Sequence, residues 1–167
     1  MSVALAEEIA RAGIVRTADG ASILCAIVLR GGLLLYPGFC GAFSGADFCL
    51  LGMKRGDDGV VACPYLTQPV RASYDVGIYV DCVAATGGTL LEARRVLAST
   101  CDISRHVAAV LCSSDCATGV LVREGIDVVG FRLSESLDGD IVTPDMGEMD
   151  AGDLFSGVSQ TARALAG

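Results

Sequence analysis

Apolar residues in this chain come in short unbroken runs, separated by polar, glycine-punctuated turns and by segments whose apolar positions recur at three and four. The opening stretch "SVALAEEIARAGIV" has the second pattern and predicts a helix. "TADGAS" reads as a turn, and "ILCAIVL" (Ile23 to Leu29) as a buried strand. "RGGLLLYPGFCGAFSG" follows as a loop, a short helix and another turn. "ADFCLLGM" (Ala46 to Met53) is a second strand, "KRGDDG" a polar turn, and "VVACPYL" a third strand or arm. "DVGIYVDCV" (Asp75 to Val83) is the clearest strand of the chain. "TLLEARRVLAS" (Thr89 to Ser99) is an amphipathic helix with Leu90, Ala93, Val96 and Leu97 on one face.

The second half repeats the rhythm: strand "VAAVLC", helix "CATGVLVREG", strand "DVVGF", then a Gly/Asp-rich tail with a short helix near "SGVSQTARALA". Strands alternating with helices mean βαβ units, hence an α/β fold with a mainly parallel sheet flanked by helices. No internal repeat or linker interrupts the pattern, so residues 1–167 read as a single domain. In such sheets ligands bind at the carboxyl ends of strands. Arg30, Asp81 and a Thr-Gly-Gly turn all fall there.

Composition narrows the class. The chain is 52% hydrophobic and 19% charged, which is globular and apolar-rich rather than disordered. Its longest uncharged apolar runs are too short to span a bilayer. The N-terminal stretch carries acids where a signal peptide carries bases, so a cytoplasmic protein without a membrane partner is expected. A net charge of -8 argues against a nucleic-acid partner held through its phosphates. The eight cysteines lie mostly in apolar runs, and Cys112 and Cys116 lack a second ligand pair at zinc spacing. Buried free thiols are the expectation. His106, the only histidine, has no second ligand or nucleophile at motif spacing and reads as a structural residue at a strand start.

The chemistry concentrates in "DCVAATGGT", Asp81 to Thr89. Glycines let backbone N–H groups turn toward an anion, and the start of the next helix adds its positive dipole end. The hydroxyls of Thr86 and Thr89 add donors. A carboxylate at the strand end is badly placed for phosphate but suited to accept hydrogen bonds from ribose hydroxyls beside it. The pair reads as a ribose 5-phosphate site, with an ordinary strand-to-helix turn as the competing reading.

This stretch resembles the motif with which phosphoribosyltransferases bind 5-phosphoribosyl 1-diphosphate (PRPP). It is most similar to the form found in the uracil phosphoribosyltransferases, which lack the second acid usual elsewhere; here Cys82 stands where those enzymes have proline. "IVLRGGL" (Ile27 to Leu33) resembles the family's Leu-Arg-Ala-Gly-Leu loop. "GMKRGDD" (Gly52 to Asp58) resembles its arginine-bearing segment, and "DAGDLFSG" (Asp150 to Gly157) its C-terminal element. The motifs occur in the family's order from about Ile23 onward.

The resemblance implies a type I phosphoribosyltransferase-like fold with a small C-terminal acceptor-binding segment. It implies transfer of 5-phosphoribosyl from PRPP to uracil or a related small ring acceptor, with release of pyrophosphate. Arg30 and Arg55 match the arginines that hold the pyrophosphate, a role suited to guanidinium forks. Asp81 matches the ribose-hydroxyl ligand, and Ala84, Ala85, Thr86, Gly87, Gly88 and Thr89 match the 5-phosphate loop. Asp150 matches an acid near PRPP and its Mg²⁺, which is carried by PRPP rather than held by direct side-chain ligation. Val142, Gly147 and Ala151 fall, with Asp150, where the family reads the acceptor base. A homodimer is the family expectation.

Three departures bear on the acceptor. Little of the uracil enzymes' N-terminal arm, and of the dimer contact it makes, precedes the first strand. "TPDMGEMDAGDLF" holds about two extra residues before Asp150 and has Leu154 at a position where the family carries a basic residue. Lys54 replaces a tyrosine before Arg55. The PRPP half is kept better than the acceptor half. Two further readings stay open: a phosphoribosyltransferase of a specialised pathway with a non-uracil acceptor, and a non-catalytic PRPP- or nucleotide-binding relative. A PRPP-sensing regulator that binds RNA would want a basic face, which the charge opposes.

Overall fold

A computed structural model describes residues 2–11, 20–56, 59–133, 137–138 and 141–142. Helix α1 (Ser2–Arg11) is followed by strand β1 (Ile23–Leu29), a 3₁₀ turn at Gly31–Leu34 and helix α2 (Tyr36–Ala42). Strands β2 (Asp47–Arg55) and β3 (Val61–Leu66) lead to β4 (Ser73–Ala84), then α3 (Gly88–Leu97), β5 (Asp102–Ser114), α4 (Asp115–Arg123) and β6 (Ile126–Leu133). A two-stranded ladder pairs β7 (Leu137–Asp138) with β8 (Ile141–Val142).

The main sheet has six strands in the order β3-β2-β1-β4-β5-β6. All neighbours are parallel except β3, which runs antiparallel on the outer edge of β2. The parallel strands are apolar on both faces because both faces are covered. On one side, Cys25 and Ile27 of β1 and Ile78, Val80 and Cys82 of β4 pack with Leu5 and Ile9 of α1 and Phe39 of α2. On the other, Leu24, Ala26 and Val28 of β1 and Ala108 and Val110 of β5 pack with Leu90, Ala93 and Leu97 of α3 and Ala117 and Leu121 of α4. Residues 24 to 28 thus alternate between two cores, which is why the run "ILCAIVL" has no polar position.

Several elements differ from the sequence-based expectation. β2 continues through Lys54 and Arg55, so Arg55 ends a strand instead of lying in the turn. Pairing with β3 extends it: Arg55 stands opposite Val61 and Lys54 opposite Ala62. The "VVACPYL" segment is a strand, and its Pro64 is accommodated on an edge, where a missing N–H costs no ladder bond. β5 begins at Asp102, which puts His106 within the strand opposite Gly77 rather than at its start. The polar stretch "DISRH" forms strand because it pairs with β4 from Ser73 onward, a tertiary contact no local pattern announces. All eight cysteines are free thiols; Cys25, Cys49, Cys82 and Cys101 are buried, whereas Cys116 on α4 is exposed. The helix expected near "SGVSQTARALA" lies outside the described residues. Among the described residues no helix is long and apolar enough to cross a membrane.

Candidate active site

The carboxyl ends of β1, β2, β4 and β5 meet along one rim of the sheet, because these strands are parallel and in register: Ile27 pairs with Val80, Leu29 with Gly52, and Ala84 with Ser113. Three chain segments leave that rim side by side: the Arg30 turn after β1, the Arg55 end of β2, and the loop 85–87 after β4.

The Arg30 turn is set by close packing on β4. A side-chain carbon on Gly32 would fall 2.2 Å from the Val80 carbonyl oxygen, and one on Gly31 would fall 2.7 Å from Asp81 Oδ1. Only glycine lets this backbone lie so near the end of β4. Arg30 and Asp81 are thereby held on neighbouring segments. Asp81 is half-buried, and its Oδ1 accepts the Cys82 N–H at 2.7 Å. The Cys82 thiol donates to the Gly31 carbonyl at 3.0 Å, a second tie between β4 and the turn. Burial pushes the Cys82 thiol up to about 11, with the nearby Asp81 charge and Cys112 adding to the rise. At neutral pH it is therefore a protonated donor rather than a nucleophile.

The glycine loop ends β4 and opens α3. Gly87 is the N-cap of α3 with φ +82°, a left-handed conformation, and supplies no side-chain cap. The first-turn N–H groups of α3 are thus left to a ligand or solvent; Gly88 N–H has only a long contact, 3.5 Å, to Thr86 Oγ1. These residues line a cleft of about 90 Å³, formed by Ala84 to Leu90 with Val83 and Arg55. Arg55 enters from the β2 side: its Nη1 donates to the Gly59 carbonyl at 3.3 Å, and its Nη2 lies 3.9 Å from where a Gly88 side-chain carbon would stand. A cleft walled by a helix N-terminus, two glycines, threonine hydroxyls and a guanidinium suits a phosphate group.

The structure therefore gathers Arg55, Ala84, Ala85, Thr86, Gly87, Gly88 and Thr89 in one cleft, with Asp81 and Arg30 on the adjoining strand end and turn. Val142 lies on β8, paired with Leu137, away from the main sheet's ladders. Gly147, Asp150 and Ala151 lie outside the described residues. Among the described residues, no three His, Cys, Asp and Glu side chains gather into a metal cage.

Sequence reasoning missed the support behind the loop. Ser114, almost fully buried, caps α4 by accepting the Ala117 N–H at 2.9 Å and donates its own proton to the Ala85 carbonyl at 2.5 Å. Ser113 and Thr118 hydroxyls pair at 2.9 Å beside it. The signal for the cap was present as "SSDCATG", a serine before an acidic first turn; the contact to Ala85 was not. Further along β5, His106 Nδ1 lies 2.9 Å from Tyr79 Oη, with the rings stacked. Burial, with the Arg94 charge, lowers the His106 pKa.

No family model matches the sequence, and no curated protein matches it by sequence. Solved structures do. The AQ2163 protein of Aquifex aeolicus superposes with a TM-score of 0.70 at 22% identity, covering 83% of this chain; the chain spans 66% of that protein's length. A purine phosphoribosyltransferase from Pyrococcus horikoshii superposes at 0.56 with 19% identity, over 80% of this chain and 81% of that one. An orotate phosphoribosyltransferase from Aeropyrum pernix does so at 0.54 with 21% identity, over 78% and 68%. By these superpositions the chain's mainly parallel six-stranded sheet, with helices on both faces, has the type I phosphoribosyltransferase-like fold.

Proposed function

We propose that this chain is a PRPP-dependent phosphoribosyltransferase, moving the 5-phosphoribosyl group from PRPP to a small ring acceptor with release of pyrophosphate. One observation carries the reading: on this fold, the Ala84–Thr89 loop and Arg55 wall one cleft while Asp81 and Arg30 flank it on the strand end and turn beside it. Each part has a task in the transfer. The loop's N–H groups and the α3 dipole bind the 5-phosphate. Asp81 accepts hydrogen bonds from the ribose hydroxyls, and Arg30 draws charge off the departing pyrophosphate; the exposed Arg55 side chain, held beside the loop by one long bond to Gly59, swings from the cleft to share that task.

Displacement at C1 passes through an oxocarbenium-like state, so the protein's share is to fix both ends of the sugar and stabilise the leaving group. That is positioning plus electrostatics, with no protein nucleophile required. Asp81 is the acid that the described site offers, which suits a magnesium ion carried by the phosphate oxygens of PRPP rather than caged by side chains; the sequence resemblance adds Asp150 as a second acid beside it, and the ion would neutralise charge on the pyrophosphate. Uracil is the acceptor that the sequence resemblance favours, with Val142, Gly147, Asp150 and Ala151 as its contacts. The divergence around Asp150 favours testing other heterocycles beside it. A cytoplasmic homodimer completes the proposal.

The test is pyrophosphate release by the purified protein given PRPP and Mg²⁺ with uracil, then with a panel of other heterocycles and aromatic acids. Release with one acceptor establishes the activity and its specificity. PRPP binding with no release on any acceptor would favour the non-catalytic, nucleotide-binding reading instead.

A further inference from the structure

Ser114 stands behind the phosphate loop rather than in it, and nothing in the chemistry above assigns it a task. Its hydroxyl is committed twice, as acceptor from Ala117 N–H at 2.9 Å and as donor to the Ala85 carbonyl at 2.5 Å. It is 1% exposed, so no water competes for either bond. The second bond crosses from the end of β5 to the first residue after β4. We infer that Ser114 is a positioning residue that sets the peptide between Ala85 and Thr86 for binding the 5-phosphate; the inference rests on the function proposed above.

In a trans peptide the carbonyl and the following N–H lie in one plane and point in opposite directions. Drawing the Ala85 oxygen toward β5 therefore turns the Thr86 N–H away from β5. In the sheet, β4 lies between β5 on one side and β1 and β2 on the other, and Arg55 reaches the cleft from the β2 side. The Ser114 bond thus keeps a carbonyl dipole from facing a bound anion and offers a donor in its place. A flipped peptide would do the reverse at the spot where negative charge must sit.

The same hydroxyl seats the loop on α4. Gly87 packs so closely there that a side-chain carbon would lie 3.2 Å from Leu121 Cγ and 3.5 Å from the Ala117 carbonyl oxygen. Because Ser114 caps the helix that Gly87 rests on, one residue fixes both the orientation of the peptide at Ala85 and the height of the loop. Thr118 supports the same helix turn, donating to the Ser114 carbonyl at 2.9 Å, but no hydrogen bond joins it to the loop. It is the natural control.

The experiment titrates ribose 5-phosphate and, separately, inorganic pyrophosphate with Mg²⁺ into wild type, Ser114→Ala, Ser114→Thr, Ser114→Gly and Thr118→Val, with thermal melting of each. Ser114→Ala should weaken ribose 5-phosphate about tenfold, the worth of one lost hydrogen-bond donor, and leave pyrophosphate affinity unchanged. Ser114→Thr, which keeps both bonds, should restore it. Ser114→Gly loses the tether while glycine remains an acceptable cap, so it should bind like the alanine variant even if alanine folds poorly. Thr118→Val should melt lower yet bind both ligands as wild type does. Equal weakening of both ligands, unchanged ribose 5-phosphate affinity in Ser114→Ala and Ser114→Gly, or an equal loss in Thr118→Val would overturn the positioning role. Wild type binding neither ligand would instead overturn the phosphoribosyltransferase reading on which it rests.

Discussion

Replacing Gly88 by alanine should make the protein more stable and its site worse. Gly88 is the first residue of α3, its φ is not in the left-handed region, and an added carbon there would meet only Thr86 Oγ1 at 3.6 Å and Arg55 Nη2 at 3.9 Å. Both are ordinary van der Waals separations, so the fold has room for the methyl. Alanine also narrows the unfolded ensemble, a gain of about 0.4–1 kcal/mol, which for a chain of this size raises the melting temperature by roughly 1–4 °C. Yet the methyl would stand among the atoms that wall the cleft. It would hold a phosphate off the N–H groups at the start of α3; losing one charge-assisted hydrogen bond costs about 1.5–3 kcal/mol, or roughly a 10- to 100-fold loss in affinity.

The assay is paired: thermal melting and calorimetric titration of PRPP with Mg²⁺ on the same preparations of Gly88→Ala and Gly87→Ala. Gly87 is the contrast, because φ +82° and a Leu121 Cγ at 3.2 Å make alanine there strained by about 1–2 kcal/mol. It should melt lower. Gly88→Ala binding PRPP as tightly as wild type would refute the cradle, since no phosphate held against the α3 N-terminus can ignore a methyl at that position.

Three further outcomes follow from the site and its surroundings. Arg55→Ala should cost roughly 10- to 100-fold in PRPP affinity, the worth of a charged hydrogen bond, with the melting temperature near wild type because the exposed side chain makes one long bond to Gly59; unchanged affinity removes Arg55 from the site. Asp81→Asn should lower turnover by orders of magnitude with a small change in melting, whereas a purely structural Asp81 would reverse that balance. Because His106 holds its proton less tightly folded than unfolded, its contribution to stability is present above about pH 6.5 and is lost as the pH falls from there through the lowered folded value. Urea unfolding at pH 7.5, 6.5 and 5.5 should show that fall in wild type and less of it in His106→Gln; identical slopes in the two proteins would contradict it.

The parts of this account that were legible in the sequence are those carried by local pattern. The uniform apolarity of "ILCAIVL" announces a strand covered on both faces, and "TGGTLLEARR" announces a strand-to-helix turn with a usable N-terminus. What was illegible depends on register. Nothing local says that "DISRH" pairs with β4, so the local pattern puts His106 at a strand start, whereas it lies inside β5 against Tyr79. Arg55 looked like a turn residue because glycine and acids follow it, but pairing with β3 carries β2 through it and fixes its guanidinium on the cleft. The reason for two glycines after Arg30 was also invisible: they let the turn lie against β4, Gly32 against Val80, 48 positions on, and Gly31 against Asp81, 50 positions on. Ser114 was the largest omission, since its partner Ala85 comes 29 positions earlier.

The measurement that bears most directly on the central claim is calorimetric titration of the purified protein with PRPP in the presence of Mg²⁺, repeated with ribose 5-phosphate and with pyrophosphate alone. The account predicts saturable binding of PRPP, tighter than that of either fragment, because the loop holds the 5-phosphate, Asp81 the ribose and the two arginines the pyrophosphate of one molecule. Absence of PRPP binding, or binding no tighter than that of its better fragment, would contradict it.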